Sequence, residues 1–126
     1  MQYVTTMKYT RLFTTEDGES HFQDVEIQFV ETDYESSAPP LGLSSLCDAA
    51  HFGFMNAAAG WESDWHPSAG RNFFVVITGE WEVTASDGET RRFGRQSLLL
   101  VEDTTGKGHR SRVLEDSIAT MVRLSG

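Results

Sequence analysis

Trp61-Glu62-Ser63-Asp64-Trp65-His66-Pro67-Ser68-Ala69-Gly70-Arg71-Asn72-Phe73-Phe74-Val75-Val76-Ile77-Thr78-Gly79 is the stretch on which the reading of the chain turns. It opens with aromatics, acids and a histidine, turns at Pro67 and Gly70, and becomes an apolar run of β type that stops at Gly79. Polar side chains of ligand type that lead into a buried strand cost free energy unless they bind something or one another. Function is therefore expected here.

Working outward, the segments on both sides are short strands punctuated by turns. Toward the N-terminus, Tyr9 to Thr14 alternates as a strand, Glu16-Asp17-Gly18-Glu19 is a hairpin-type turn, and His21 to Val30 is the partner strand. This pair is expected to lie as an edge ribbon on the main body, followed by an extended connector, Asp33 to Leu43. Ser44 to Asn56 is ambiguous between helix and strand, and His51-Phe52-Gly53-Phe54-Met55 favours the strand; a turn follows at Ala57 to Gly60. Toward the C-terminus, Trp81 to Thr84 and Thr90 to Phe93 flank the Asp87-Gly88 turn as a second hairpin, and Gly94-Arg95-Gln96 turns again. Ser97 to Val101 is an apolar strand, and Ser111 to Leu114 and Ser117 to Leu124 are two more. Strands at this spacing with almost no helix predict an all-β sandwich or barrel. The 126 residues suffice for one domain with one core: an N-terminal ribbon and connector over 1–43 and a barrel over 44–126.

Composition narrows the function classes. Net charge is −9 and the pI is near 4.7, so no nucleic-acid partner and no anionic membrane surface is expected. No apolar run approaches the length of a membrane span and no signal-peptide layout opens the chain, so a cytoplasmic protein is expected. The single cysteine, Cys47, excludes an internal disulfide and a multi-cysteine zinc site, and is expected to be a small buried hydrophobe. Eight of the ten bases lie in 65–126, whereas eleven of the nineteen acids lie in 1–64 beside only Lys8 and Arg11. Such asymmetry is explained either by ordinary solvated faces or by the acidic half packing on the basic half, in this chain or a partner.

The order of these features resembles the cupin superfamily, in particular its small single-domain members. The resemblance is carried by Trp65-His66-Pro67, the apolar strand, Gly79-Glu80, the Asp87-Gly88 hairpin, the Phe93-Gly94 turn and Gly106-Lys107-Gly108-His109, and covers about residues 52–124. It implies a double-stranded β-helix, or jelly roll, with the site in the barrel mouth, commonly around one divalent metal, and a homodimer. Carried over position by position, the motif glycine is Gly79, its second histidine is His66 and the final histidine is His109. Its first histidine falls on Asp64, its glutamate on Asn72, and an expected proline on Thr104.

The residues can also be taken on their own chemistry. If residues 62–66 are extended, Glu62, Asp64 and His66 share one face, while Asn72, Phe74, Val76 and Thr78 share a face of the next strand. A barrel would then bring Asp64, His66, Asn72 and His109 together. Two imidazoles and a carboxylate suit iron, manganese, nickel or zinc, with Asp64, His66 and His109 as ligands. Without metal, His66 and His109 would act as general acid and base for isomerisation, epimerisation or elimination on a small organic metabolite, carboxylated ones included. Asn72 would orient a carbonyl or hydroxyl, and Arg71 or Arg110 would steer an anion. Phe74 and Trp65 are candidate walls of the cup, as are Trp61, Phe73 and Trp81 unless they serve core or subunit packing, and His51 reaches it only if the register allows. A binding or sensing module without turnover is the alternative. Thr104 to His109 lacks the Walker spacing, so its glycines are expected to permit a close approach that carries His109 inward.

Overall fold

The computed structural model describes residues 6–126, and these form nine strands and no helix. In chain order the strands are β1 (Lys8–Thr14), β2 (Ser20–Glu26), β3 (Val30–Thr32), β4 (Leu41–Leu43), β5 (Ala49–Ala57), β6 (Asn72–Ala85), β7 (Thr90–Phe93), β8 (Leu98–Val101) and β9 (His109–Leu124). Seven of them make one curled sheet in the order β2-β1-β8-β6-β9-β5, with β7 also paired to β6; β3 and β4 form a separate two-stranded sheet. The chain is thus the all-β jelly roll that its sequence leads one to expect. Among the described residues no helix is long and apolar enough to cross a membrane.

The ribbon expected at the N-terminus is built into the barrel. Strand β1 pairs antiparallel with β2 over its whole length and parallel with β8 through Thr10, Arg11 and Leu12. Leu12 is wholly buried in a core with Phe22, Val76, Val83, Phe93 and Leu99. Burying a leucine this completely contributes about 1.5–3 kcal/mol, so the ribbon helps hold the barrel closed. The second strand of the ribbon ends at Glu26, earlier than expected, and the connector after it is not wholly extended, since it turns where the Ala38 N–H donates to the Glu35 carbonyl at 3.2 Å before its last residues form β4 against β3. Acids of the N-terminal half pair with bases of the C-terminal half within this one chain, Asp24 with Arg91 at 2.7 Å and Glu19 with Lys107. Cys47 is exposed, against expectation, because it lies in the irregular segment ahead of β5.

The long strands β6 and β9 are where the structure departs most usefully from the sequence pattern. The apolar run does not stop at Gly79, and the C-terminal strands do not separate into two: β6 and β9 each run through, paired to one another from end to end. The pairing register shifts around Thr78 to Trp81. Before this irregularity the even-numbered Asn72, Phe74 and Val76 face the interior; after it the odd-numbered Trp81 and Val83 do. One inserted residue swaps the inward face of a strand, which is how a bulge keeps both halves of β6 lining the same space. Gly79 makes it possible: its φ is +83°, and a Cβ there would sit 2.3 Å from the Asp116 carbonyl.

Candidate functional site

Inside the barrel lies a cavity of about 300 Å³. Its walls are mostly apolar, from Met55, Phe74, Val76, Val83, Leu99 and Val101, and its polar groups are few: His66, His109, Asn72, Ser68 and Ser111. Among the described residues no arginine or lysine lines it. Trp61, half exposed at 49%, stands edge-on to Trp81 with ring centroids 5.7 Å apart, and both border the space.

The two histidines come from the two chain segments that the sequence marked. Past the turn at Ala58 to Trp61, the chain continues along β9, with bridges Glu62 to Arg112 and His66 to His109. His109 opens β9 and is buried; His66 is exposed at the mouth; their ring centroids are 4.9 Å apart. The close approach expected of the glycine loop is present. A Cβ on Gly108, whose φ is +74°, would sit 2.0 Å from the His66 carbonyl oxygen. The ribbon braces the same loop: the Ser20 hydroxyl donates to the Gly108 carbonyl at 2.7 Å, and the Lys107 N–H donates to the Gly18 carbonyl at 3.0 Å.

Each imidazole has one nitrogen committed. The Nδ1–H of His66 donates to the Asp64 main-chain carbonyl at 2.8 Å, and the Nδ1–H of His109 donates to the Asp103 carboxylate at 2.6 Å. In the neutral rings this leaves Nε2 as the unprotonated nitrogen of both. Asp103 is 0% exposed, and its other oxygen, Oδ1, is buried with no hydrogen-bond partner among the described residues.

The remaining candidates separate. Asn72 and Phe74 line the cavity, and the Asn72 side-chain oxygen accepts from the Arg123 guanidinium, which commits that oxygen. Asp64 does not share the face of His66. The chain bends at Trp65, whose N–H donates to the Asp64 carboxylate at 2.8 Å, and this interrupts the alternation expected over 62–66. Asp64 instead borders a second, polar groove with Glu62, Glu82, Arg110 and Arg112. Trp65 is absent from the cavity wall and carries the Arg110 guanidinium 5.4 Å above its ring. Arg71 also lies outside, paired at 2.9 Å with Glu102, which Arg11 binds from the other side. Burial alone would push the Glu102 carboxyl up, but the two guanidiniums outweigh it and hold it below the usual glutamate range. His51 is exposed near the start of β5 and does not reach the cavity.

A divalent metal of the kind implied by the resemblance takes about three protein donors. The cavity presents two imidazoles, and among the described residues no group of three His, Cys, Asp or Glu side chains is placed to hold an ion. The donor set does not fit, because the carboxylate expected at Asp64 faces the other groove. The residue that sequence reasoning missed is Asp103. Its signal was the second of two acids after an apolar strand, six residues before a candidate histidine, a pattern that reads as a solvated loop until the fold is known.

No family model matches the chain, and no curated protein matches it. Solved structures resemble it in fold. A conserved protein of unknown function from Streptococcus pyogenes, SPY1581, shares 20% identity at a TM-score of 0.51, over 60% of this chain and 63% of that one. The chain therefore spans less than two thirds of that structure. A cupin-2 domain protein from Shewanella frigidimarina shares 16% identity at a TM-score of 0.48, over 59% and 69% of the two chains. The cupin domain of Schizosaccharomyces pombe Cnp3 shares 17% identity at a TM-score of 0.46, over 98% and 86%. Likeness at such identities concerns architecture alone.

Proposed function

We propose that this small cupin-type barrel is an enzyme that moves a proton on an uncharged, largely apolar organic molecule held in the cavity, with His66 and His109 as the acid–base pair. The observation that carries this reading is a pair of imidazoles 4.9 Å apart, each with Nδ1 engaged, at the wall of an otherwise apolar space. An apolar core gains nothing from two imidazoles, whereas proton transfer needs a nitrogen lone pair and a nearby N–H. One Nε2 takes a proton from the bound molecule while the other ring, in its protonated form, returns one to a neighbouring atom. Both rings enter from adjoining strands, so removal and return occur on the same face of the substrate. An uncharged substrate is favoured because, among the described residues, no arginine or lysine lines the wall to hold a fixed negative charge.

The test uses small neutral carbonyl compounds and phenols in D2O. Binding is followed by quenching of Trp61 and Trp81 fluorescence, and turnover by deuterium entering C–H positions. Wild type is expected to catalyse exchange on at least one bound compound, with His66→Ala and His109→Ala each about 10²–10⁴-fold slower. Quenching without exchange for every bound compound would leave the second reading, a binding module without turnover. One observation favours that module: the Asn72 side-chain oxygen is already engaged by Arg123.

The proposal includes a homodimer. Phe52 and Phe54, 5.3 Å apart and each 66% exposed on the outward face of edge strand β5, need cover that a second copy would supply. Sedimentation of wild type and of the Phe52→Glu, Phe54→Glu double variant tests this: a dimer that becomes a monomer supports it, and a monomeric wild type rejects it.

A further inference from the structure

Asp103 takes no direct part in lining the cavity, yet it is among the most completely buried side chains of the protein. A carboxylate with an unpaired oxygen in the interior is destabilising, and an apolar side chain of similar volume would remove that cost. Among the described residues the His109 imidazole is its only side-chain partner, at 2.6 Å. The main chain of the same residue holds the other histidine's segment: the Asp103 carbonyl accepts the Ser68 N–H at 2.9 Å, two residues past His66. One position thus ties down both arms of the site.

We propose that Asp103 is a positioning residue, which fixes His109 as the Nδ1–H tautomer and so turns a bare Nε2 toward the cavity. The reaction in which that nitrogen takes part is the one proposed above, and the positioning role deepens it. An imidazole with both nitrogens unconstrained distributes its proton between them, and only one form presents a lone pair to the ligand. A carboxylate accepts and cannot donate, so beside Nδ1 it selects one form. It also makes the two histidines inequivalent. His109 is backed by a carboxylate that balances the charge acquired with a proton, whereas His66 is backed by a peptide carbonyl and faces solvent. This assigns the base to His109 and the acid, recharged from water, to His66.

Long-range ¹H–¹⁵N correlation of the histidine rings at pH 8 reads the tautomers directly and needs no substrate. Wild-type His109 is expected to carry its proton on Nδ1. In Asp103→Asn the amide can donate as well as accept, so an Nε2–H population appears at His109, while His66, held by main chain, stays unchanged as the internal reference. Asp103→Glu, which keeps the carboxylate, is expected to restore Nδ1–H in part. Catalysed deuterium exchange in Asp103→Asn is expected to fall about a hundredfold or more. An Nε2–H tautomer in wild type overturns the proposal, even if the variant does not fold, and so does a folded Asp103→Asn with undiminished Nδ1–H. A fixed wild-type tautomer that is lost in the variant, with no exchange on any compound, removes the proposed reaction and leaves the positioning role standing.

Discussion

His66 and His109 face each other across an antiparallel bridge in which each backbone N–H donates to the other's carbonyl at 3.0 Å. Two main-chain hydrogen bonds therefore set the spacing of the two backbone positions, and the Nδ1–H bonds to the Asp64 carbonyl and the Asp103 carboxylate hold the rings. The bridge is possible only because nothing projects from Gly108 toward the His66 carbonyl.

That close approach makes Gly108→Ala costly in a way that can be separated from backbone strain. Gly88 has a similar φ of +97° but no atom within 4 Å of the place a methyl group would take, so Gly88→Ala should lose about 1–2 kcal/mol from left-handed strain alone. Gly108→Ala should lose about 3 kcal/mol or more. Urea denaturation of the two variants side by side decides it, and equal losses would mean that the bridge is not as tight as described.

Ser20 is the pin between the ribbon and the site. Its hydroxyl donates to the Gly108 carbonyl at 2.7 Å and accepts the Ser86 N–H at 2.8 Å, with 0% exposure. Ser20→Ala strands the buried Gly108 carbonyl and the partly buried Ser86 N–H, so a loss of about 1–3 kcal/mol is expected. Amide exchange should accelerate at Gly108 and His109 more than in β5. Uniform acceleration would show that the ribbon stabilises the barrel without bracing the loop.

Acid stability should depend on Glu102. Its folded carboxyl titrates below the unfolded value of about 4.3, because Arg11 and Arg71 outweigh its burial. A depressed carboxyl contributes stability above the unfolded value and loses it as pH falls through the folded one. Wild type should accordingly lose more unfolding free energy than Glu102→Gln between pH 5 and about pH 3. Parallel slopes in that window would contradict the bridging role.

Asp64 and Ala119 give opposite expectations for ligand binding. Asp64 borders the outer groove, so Asp64→Ala should change affinity in the cavity by less than about twofold, a surface-type effect. Ala119 is buried in the cavity wall, so Ala119→Phe should fill the space and abolish tryptophan quenching by ligand. Strong weakening by Asp64→Ala would return that carboxylate to the site.

Much of this protein was legible in one dimension. Period-two alternation marks the strands, glycine and aspartate mark their turns, and both are local properties of the chain. Those signals placed Tyr9 to Thr14, the Asp87-Gly88 hairpin and the apolar strand before Glu102 where they occur. They also singled out His66 and His109, since proline after one and glycine before the other are local marks of a chain turning inward. Alternation misled at two places for one reason. At Trp65 a bend, and near Gly79 an extra residue, reverse which parity faces inward. Asp64 and His66 parted company, while Phe74 and Val83 joined one wall.

The sequence alone determined the all-β class, most strand positions and the two histidines, because each depends on neighbours a few residues away. Tertiary structure decided what surrounds them. Asp103 became a buried partner of His109, and Arg71 became half of a Glu102 clamp, when closure of the sheet removed one carboxylate from water and aligned another with two guanidiniums. Burial of that kind depends on which distant strands cover a residue, and no local pattern encodes it.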